Sequence, residues 1–228
     1  IDGYRIDAVW GVNAKNPEFM PAWRLALKRI KPEILLLGED KASWPMVFDG
    51  RFDVAYDWTA EEDWVSHWSW QTTYSEQSNP TIFNMMNQNN RTASLKKVLT
   101  NDGNGYHPRA KILRFMENND THRFLRFHDL ARTQMAAAFM FALPGVPLIY
   151  NGQEIGAWEH PYEANFVFIK YRTIRSMDQY QLIPFYRHLI ELRNDFPSLS
   201  SDNFDHIPVA PDKFVYAFHR WQGEENIF

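Results

Sequence analysis

Three apolar segments that each end at a carboxylate restrict the fold of this sequence most. The segments cover residues 4–6, 34–37 and 112–116. The acids that follow them are Asp7, Glu39 and Asp120. Short apolar runs bounded by turn-forming residues are typical of buried strands. Charge at the mouth of a buried strand is uncommon, so we expect these distant segments to contribute to one acidic site.

Helical patterns separate the apolar segments. We predict a polar loop over residues 11–16 and then an amphipathic helix that ends near Lys31, because Pro32 follows it. The further predicted strands cover residues 33–37, 51–56, 111–116 and 146–150. The further predicted helices cover residues 92–100, 130–143 and 179–194. Five strands that alternate with helices fit an α/β fold, part of a (β/α)8 barrel, in which the active site lies at the C-terminal ends of the strands.

The sequence changes character near Ser198. Residues 214–221, followed by Gln222 and Gly223, predict one arm of a β-hairpin. We therefore divide the chain into residues 1–198, a partial (β/α)8 catalytic domain, and residues 199–228, the beginning of an all-β domain. The chain has no initiator methionine and begins inside a predicted strand, so we expect it to be a fragment of a longer protein.

Composition and charge exclude several classes of protein. The net charge of −4 and the lack of a basic run argue weakly against a nucleic-acid surface. Cysteine is absent, which excludes a disulfide framework and a cysteine-based metal site. The apolar run over residues 135–143 is too short to span a membrane. We predict neither a nucleic-acid partner nor a membrane partner, and the cellular compartment is left open.

Paired carboxyl groups can cleave a glycosidic bond. One acts as nucleophile or base and the other as acid, and a third can stabilise the positive charge of the transition state. Arg5 lies two residues before Asp7, so both side chains point to the same face of a strand, where the guanidinium keeps Asp7 ionised and oriented. The alternative is that the three acids only cap helices or lie in solvated loops, since 28 acidic residues make strand-end carboxylates common by chance.

Four motifs resemble those of the α-amylase family of glycoside hydrolases, in the order found in that family. They lie at residues 2–8, 36–39, 115–124 and 144–156. The resemblance implies that the chain covers barrel strands four to eight and the start of the C-terminal β-domain. It also implies the roles of four residues: Asp7 is the nucleophile, Glu39 the acid/base, Asp120 the transition-state stabiliser, and Arg5 their electrostatic partner.

Two positions depart from the family pattern, and one nearby pair imitates it. Asn119 stands where the family usually has a histidine that donates a hydrogen bond to substrate hydroxyls; asparagine can still donate but cannot carry charge. Gln153 stands where aspartate is common. The pair His128–Asp129 imitates the expected motif, but it follows no strand, so we predict that Asp129 caps a helix.

Tryptophans offer flat surfaces on which sugar rings can pack. Trp10, three residues after Asp7, is predicted to contact sugar on the acceptor side of the cleaved bond. The tryptophans between Trp58 and Trp70 either line the sugar cleft or pack in a core.

The resemblance implies a retaining glycosidase that acts on α-glucans or oligosaccharides with α-1,4 or related linkages. Two alternatives remain open. One is a transglycosylase or a sucrose- or trehalose-active member of the family, and the other is a non-catalytic relative. No cofactor or metal site is predicted in these residues, although the family's calcium site would lie in the missing first half of the barrel. The isolated segment is expected to be inactive.

Overall fold

The computed structural model describes residues 1–57, 91–101, 103–121, 123–159, 174–210 and 215–228. The tryptophans between positions 58 and 70 therefore lie outside the described residues. The chain divides into two compact units. The first comprises residues 1–65 and 96–114, and the second comprises residues 66–95 and 115–228.

The first unit is built on a parallel sheet in which β1 to β4 follow one another in chain order. The strands are β1 (Gly3–Ile6), β2 (Leu35–Lys41), β3 (Val54–Tyr56) and β4 (Lys111–Arg114). Helices α1 (Val9–Lys15) and α2 (Phe19–Ile30) connect β1 to β2. The core between sheet and helices includes Val9, Met20, Ile34, Leu36 and Phe52, each buried. This strand–helix–strand order confirms the predicted α/β class.

Two element predictions in the first unit are wrong. Residues 11–16, predicted as a loop, mostly belong to α1, because Val9 and Val12 lie one turn apart and pack on the core. Their polar neighbours gave the segment the composition of a loop. Strand β2 also continues beyond its predicted end at residue 37, so Glu39 lies inside the strand rather than after it.

The second unit contains five helices of the described C-terminal half of the chain. They are α4 (Phe124–Phe127), α5 (Leu130–Ala142), α6 (Ile174–Met177), α7 (Leu182–Asp195) and α8 (Pro197–Ser200). Helix α3 (Arg91–Leu99) precedes β4. Asp129 caps α5 as predicted, because its carboxylate accepts the Arg132 N–H at 2.8 Å. Asp178 caps α7 by accepting the N–H groups of Leu182 and Ile183 at 2.7 and 3.0 Å, which explains why this helix begins later than predicted.

The strand predicted over residues 146–150 is shorter in the structure. Strand β5 covers only Val146–Pro147. Pro147 has no N–H to donate to a neighbouring strand. The N–H of Tyr150 donates to the side chain of Gln153 at 3.1 Å, so the chain turns instead of continuing as a strand.

An antiparallel sheet of three strands ends the chain. It consists of β6 (Phe204–Ile207), β7 (Ala217–Gln222) and β8 (Glu225–Ile227). The buried Arg220 attaches β7 to its surroundings by donating to the carbonyl groups of Asn203, Ser201 and Ala142. The hairpin of β7 and β8 agrees with the predicted β-rich end, whereas β6 was not predicted. The domain boundary near Ser198 stays a prediction. Within the described part of the chain, no helix has the length and apolar character that a membrane span requires.

Candidate active site

Asp7 and Glu39 occupy neighbouring positions on adjacent parallel strands. Arg5 pairs with Leu37 and Ile6 with Gly38 in the register of β1 and β2. Asp7 is the first residue after β1, and Glu39 is the next residue of β2. The sheet therefore brings together two acids that lie 32 positions apart in the sequence.

Arg5 is the residue that joins the two carboxylates. Its guanidinium forms an ion pair with Asp7 and a second ion pair with Glu39, whose N···O distance is 2.8 Å. The Asp7 side chain is 76% exposed, whereas the Glu39 side chain is only 12% exposed. One cation thus reduces the repulsion between two nearby anions, one of which is accessible to a ligand.

A β-bulge in β2 places the Glu39 side chain. Gly38 pairs with Ala55 and Lys41 with Tyr56, so two extra residues, Glu39 and Asp40, stand between these pairs on β2. Bulges next to active sites re-aim a side chain. The second carboxylate oxygen of Glu39 accepts the Ala8 N–H at 2.6 Å. Ala8 has a left-handed backbone (φ 45°), an uncommon conformation for a residue with a side chain.

Tyr56, the last residue of β3, supports Arg5 from the other side. Its hydroxyl oxygen accepts from Arg5 Nε at 3.4 Å. Burial alone would lower the pKa of Arg5, but hydrogen bonds to Tyr56 and Asp7 and the charge of Glu39 raise it above its usual value. The guanidinium therefore keeps its charge between the carboxylates.

Trp10 lies on α1, three residues after Asp7, and its side chain is 64% exposed. An exposed tryptophan that follows an accessible carboxylate by three residues suits stacking against a sugar ring. The sugar contact itself stays a prediction.

Asn119 and Asp120 lie in a turn of the second unit, after β4. The Asp120 N–H donates to the side-chain oxygen of Asn118 at 2.8 Å, and the Asn118 N–H donates to the Thr121 hydroxyl at 2.8 Å. Asn118 and Thr121 are buried, whereas Asn119 and Asp120 are half-buried. The turn thus buries Asn118 and Thr121 and leaves the two predicted site residues, Asn119 and Asp120, partly accessible.

The ends of this turn are joined by an ion pair between Glu117 and Arg123, at 2.8 Å. Burial raises the pKa of Glu117, although the charge of Arg123 and the Phe124 N–H oppose that increase. Since Asp7 and Glu39 belong to the first unit and Asp120 to the second, the convergence of all three acids stays a prediction.

Gln153, at the position where the family commonly has aspartate, serves a structural role here. Its amide nitrogen donates to the Tyr186 hydroxyl at 2.8 Å and its oxygen accepts the Tyr150 N–H. The side chain is buried. The neutral amide satisfies both partners, because its nitrogen donates to Tyr186 and its oxygen accepts from Tyr150.

Among the described residues, no group of three or more histidine, aspartate or glutamate side chains is arranged so that it could hold a metal ion.

Comparison with known proteins identifies the family. Residues 1–181 match the family model described as alpha amylase, catalytic domain. The chain belongs to the α-amylase family. All four motifs of this α-amylase-family chain lie within the matched residues.

The relatives of this α-amylase-family chain are considerably longer than it is. It is 29% identical over 144 residues to Alpha-amylase 2 of Dictyoglomus thermophilum, which covers 60% of the chain and 25% of that protein. It is 24% identical over 235 residues to Neopullulanase 2 of Thermoactinomyces vulgaris, which covers 100% of the chain and 36% of that protein. The debranching enzyme of Nostoc punctiforme aligns with a TM-score of 0.75 at 21% identity, over 99% of the chain and 46% of that structure. This likeness confirms the predicted partial (β/α)8 barrel, and the chain spans less than half the length of these proteins.

Sequence reasoning missed three contributors to the site geometry. Tyr56 ends a predicted strand. A search for any polar side chain at the end of a predicted strand, rather than for carboxylates alone, would have found it. The Ala8 N–H carries no sequence signal, because any residue other than proline has this group. The pairing of Glu117 with Arg123 depends on the path of the turn between them.

Proposed function

We propose that the full-length protein is a retaining glycoside hydrolase of α-glucans. The single observation that carries the proposal is the arrangement of Asp7, directly after β1, and Glu39, in the bulge of β2, around Arg5. Two carboxyl groups held close together are what retaining hydrolysis requires, with a separation of roughly 5–5.5 Å when substrate is bound. Membership of the α-amylase family supports α-linked glucans as the substrate class.

In the first step, Asp7 attacks the anomeric carbon and Glu39 donates a proton to the leaving glycosidic oxygen, so a glycosyl ester forms as the glycosidic bond breaks. The exposure of Asp7 makes its carboxylate accessible to the sugar. Glu39 accepts from Arg5 and Ala8 in the structure, and we infer that bound sugar displaces one of these donors from the oxygen that carries the proton.

In the second step, Glu39 removes a proton from water, and the water oxygen attacks the anomeric carbon and releases Asp7. Formation of the ester neutralises Asp7. Of the two carboxylates that pair with Arg5, only Glu39 can then carry a negative charge. A cation close to Glu39 favours its ionised form, which is the form that acts as a base. Arg5 thus couples the charge of the nucleophile to the protonation of the acid/base.

The remaining site residues have supporting roles in the proposal. Asp120 stabilises the positive charge of the transition state, and Asn119 donates to substrate hydroxyls in place of the usual histidine. Trp10 packs against a sugar on the acceptor side. Two relatives carry names that indicate α-glucan substrates, Alpha-amylase 2 and Neopullulanase 2, which supports oligosaccharides and polymers of this class as partners.

The test is an assay of the full-length protein on a panel of α-glucans and disaccharides, with and without added calcium. Proton NMR should show that the first product has the α configuration. Asp7→Asn and Glu39→Gln should each lose several orders of magnitude in kcat. Asp49→Asn, which neutralises an exposed carboxylate outside the four motifs, is the control and should leave kcat unchanged. A β-configured first product, or near-normal kcat in either site variant, would overturn the proposal.

A further inference from the structure

A buried ion pair closes the turn that carries Asn119 and Asp120. Glu117 and Arg123 lie six residues apart, and their side chains are each only 3% exposed. The distance between Arg123 Nη1 and Glu117 Oε1 is 2.8 Å. The two residues therefore fix the two ends of the turn to each other.

Each member of the pair is held by further contacts. The second oxygen of Glu117 accepts the Phe124 N–H at 2.6 Å. Arg123 donates from Nε to the Glu159 carbonyl at 3.1 Å, and its guanidinium lies 4.7 Å from the centre of the Tyr150 ring. Both charged groups thus have fixed positions and fixed orientations.

Burying a charged pair is not an efficient way to stabilise a fold. Removing two charges from water costs several kcal/mol per ion, and replacement by apolar side chains is often neutral or stabilising. A buried pair that is retained in a short turn therefore suggests a requirement for one particular conformation. The turn between Glu117 and Arg123 presents the two half-buried site residues, and Asn118 and Thr121 hold its interior.

We propose that Glu117 and Arg123 are positioning residues that hold Asp120 in its catalytic orientation without touching substrate. This inference rests on the proposed glycosidase function and deepens it. The pair fixes the ends of the turn, the Asn118 side chain fixes the Asp120 backbone, and Asp120 is left with little freedom. Positioning of this kind matters because a mutation far from the reacting atoms that misplaces a catalytic group by 1 Å can lower turnover by about 10²-fold.

The kinetic test compares Arg123→Gln with Arg132→Gln in the full-length protein. Arg132 forms an ion pair with the carboxylate of Asp129, three residues before it, but that pair is exposed. Arg123→Gln should lower kcat by about 10²-fold with little change in KM, while Arg132→Gln should match wild type. Arg123→Lys, which keeps the charge, should recover part of the loss. An equal fall in Arg123→Gln and Arg132→Gln would overturn the proposal.

A double-mutant cycle separates positioning from general loss of structure. If Arg123 acts through Asp120, then adding Arg123→Gln to Asp120→Asn should lower kcat no further. Glu117→Gln, which keeps the volume of the side chain, should behave in the same way and replaces Arg123→Gln if that variant does not fold. A full additional loss in the double variant, measured on the same α-glucan, would show that the pair does not act through Asp120.

Hydrogen exchange tests the inference independently of activity. The amides of Asn118 and Asp120 should exchange roughly tenfold or more faster in Arg123→Gln than in wild type, because the turn opens locally. The same amides should be unaffected in Arg132→Gln. If wild type hydrolyses no α-glucan, the proposed function fails, whereas unchanged exchange in Arg123→Gln would contradict the positioning role.

Discussion

At the scale of single residues, Arg5 holds together the two carboxylates that we propose to be catalytic. Its planar guanidinium contacts Asp7 and Glu39 through different nitrogen atoms and Tyr56 through a third. The planar guanidinium spreads its donors over three nitrogen atoms and so holds three separate oxygen atoms in a fixed arrangement, whereas an ammonium group donates from a single nitrogen. Charge alone therefore does not explain the presence of arginine here.

This geometry predicts the effect of Arg5→Lys in the full-length protein. Lysine keeps the positive charge but loses the simultaneous contacts, so kcat on an α-glucan should fall by about 10²–10³-fold, the usual effect of removing one preorganised donor. Steady-state kinetics provide the measurement. Arg132→Lys, the same exchange at an exposed ion pair, should keep wild-type kcat. Equal activity of Arg5→Lys and wild type would show that charge alone suffices.

Asp53 gives the first unit a predictable response to acid. Burial acts to raise the pKa of Asp53, but Arg24, Lys28 and the Leu36 N–H outweigh it, so the pKa is lowered overall. A lowered pKa gives stability that is present above the unfolded value of about 3.9 and is lost as the pH falls through the folded value. The free energy of unfolding of the full-length protein, measured with urea, should therefore fall in acid. This fall should be smaller in Asp53→Asn. Asp49→Asn, at an exposed carboxylate, is the control. If stability falls with pH in Asp53→Asn as much as it does in wild type, the assignment is refuted.

At the scale of helices and strands, a sequence signal can predict a feature correctly when the residues that form it are close together in the chain. The α5 cap at Asp129 is such a case, since cap and helix are adjacent. The bulge at Glu39 could not be predicted, because it depends on the pairing of β2 with β3. The early end of β5 was readable in part from Pro147. The turn contact of Tyr150 with Gln153 is visible only in three dimensions.

The Asp129 cap gives a prediction for α5. Asp129→Ala removes the acceptor for the Arg132 N–H and should lower the free energy of unfolding by about 1 kcal/mol. Asp129→Asn keeps an acceptor of similar capping strength and should retain most of that stability. Thermal or urea unfolding of the full-length protein measures both. Equal destabilisation by Ala and Asn would point to the charge of Asp129 rather than to its cap hydrogen bond.

Gly38 tests how closely β2 must pack beside Glu39. A Cβ at this position would lie 2.8 Å from the Phe52 ring, so the ring or the strand must move. Gly38→Ala should lower the free energy of unfolding by about 1–3 kcal/mol and should reduce kcat through displacement of Glu39. Gly11→Ala in α1 is the control, because a Cβ there meets nothing within 4 Å. Unfolding and kinetic data equal to wild type in Gly38→Ala would contradict this packing.

At the scale of the whole molecule, the chain belongs to the α-amylase family but spans less than half of the relatives described above. The alternation of strands and helices was enough to predict the barrel class. The assignment of roles depended on motifs, because periodicity does not distinguish a catalytic acid from a cap. Activity is therefore a property to be measured on the full-length protein.

The most direct test of the central claim is to trap the covalent intermediate. The full-length protein would be incubated with a fluorinated α-glucosyl fluoride, whose ring fluorine slows hydrolysis of the glycosyl ester, then digested and analysed by mass spectrometry. We predict a sugar adduct on Asp7, and no adduct on that peptide in Asp7→Asn. An adduct on Glu39, Asp120 or any other residue, or turnover of the reagent without an adduct, would contradict the assignment of Asp7 as the nucleophile.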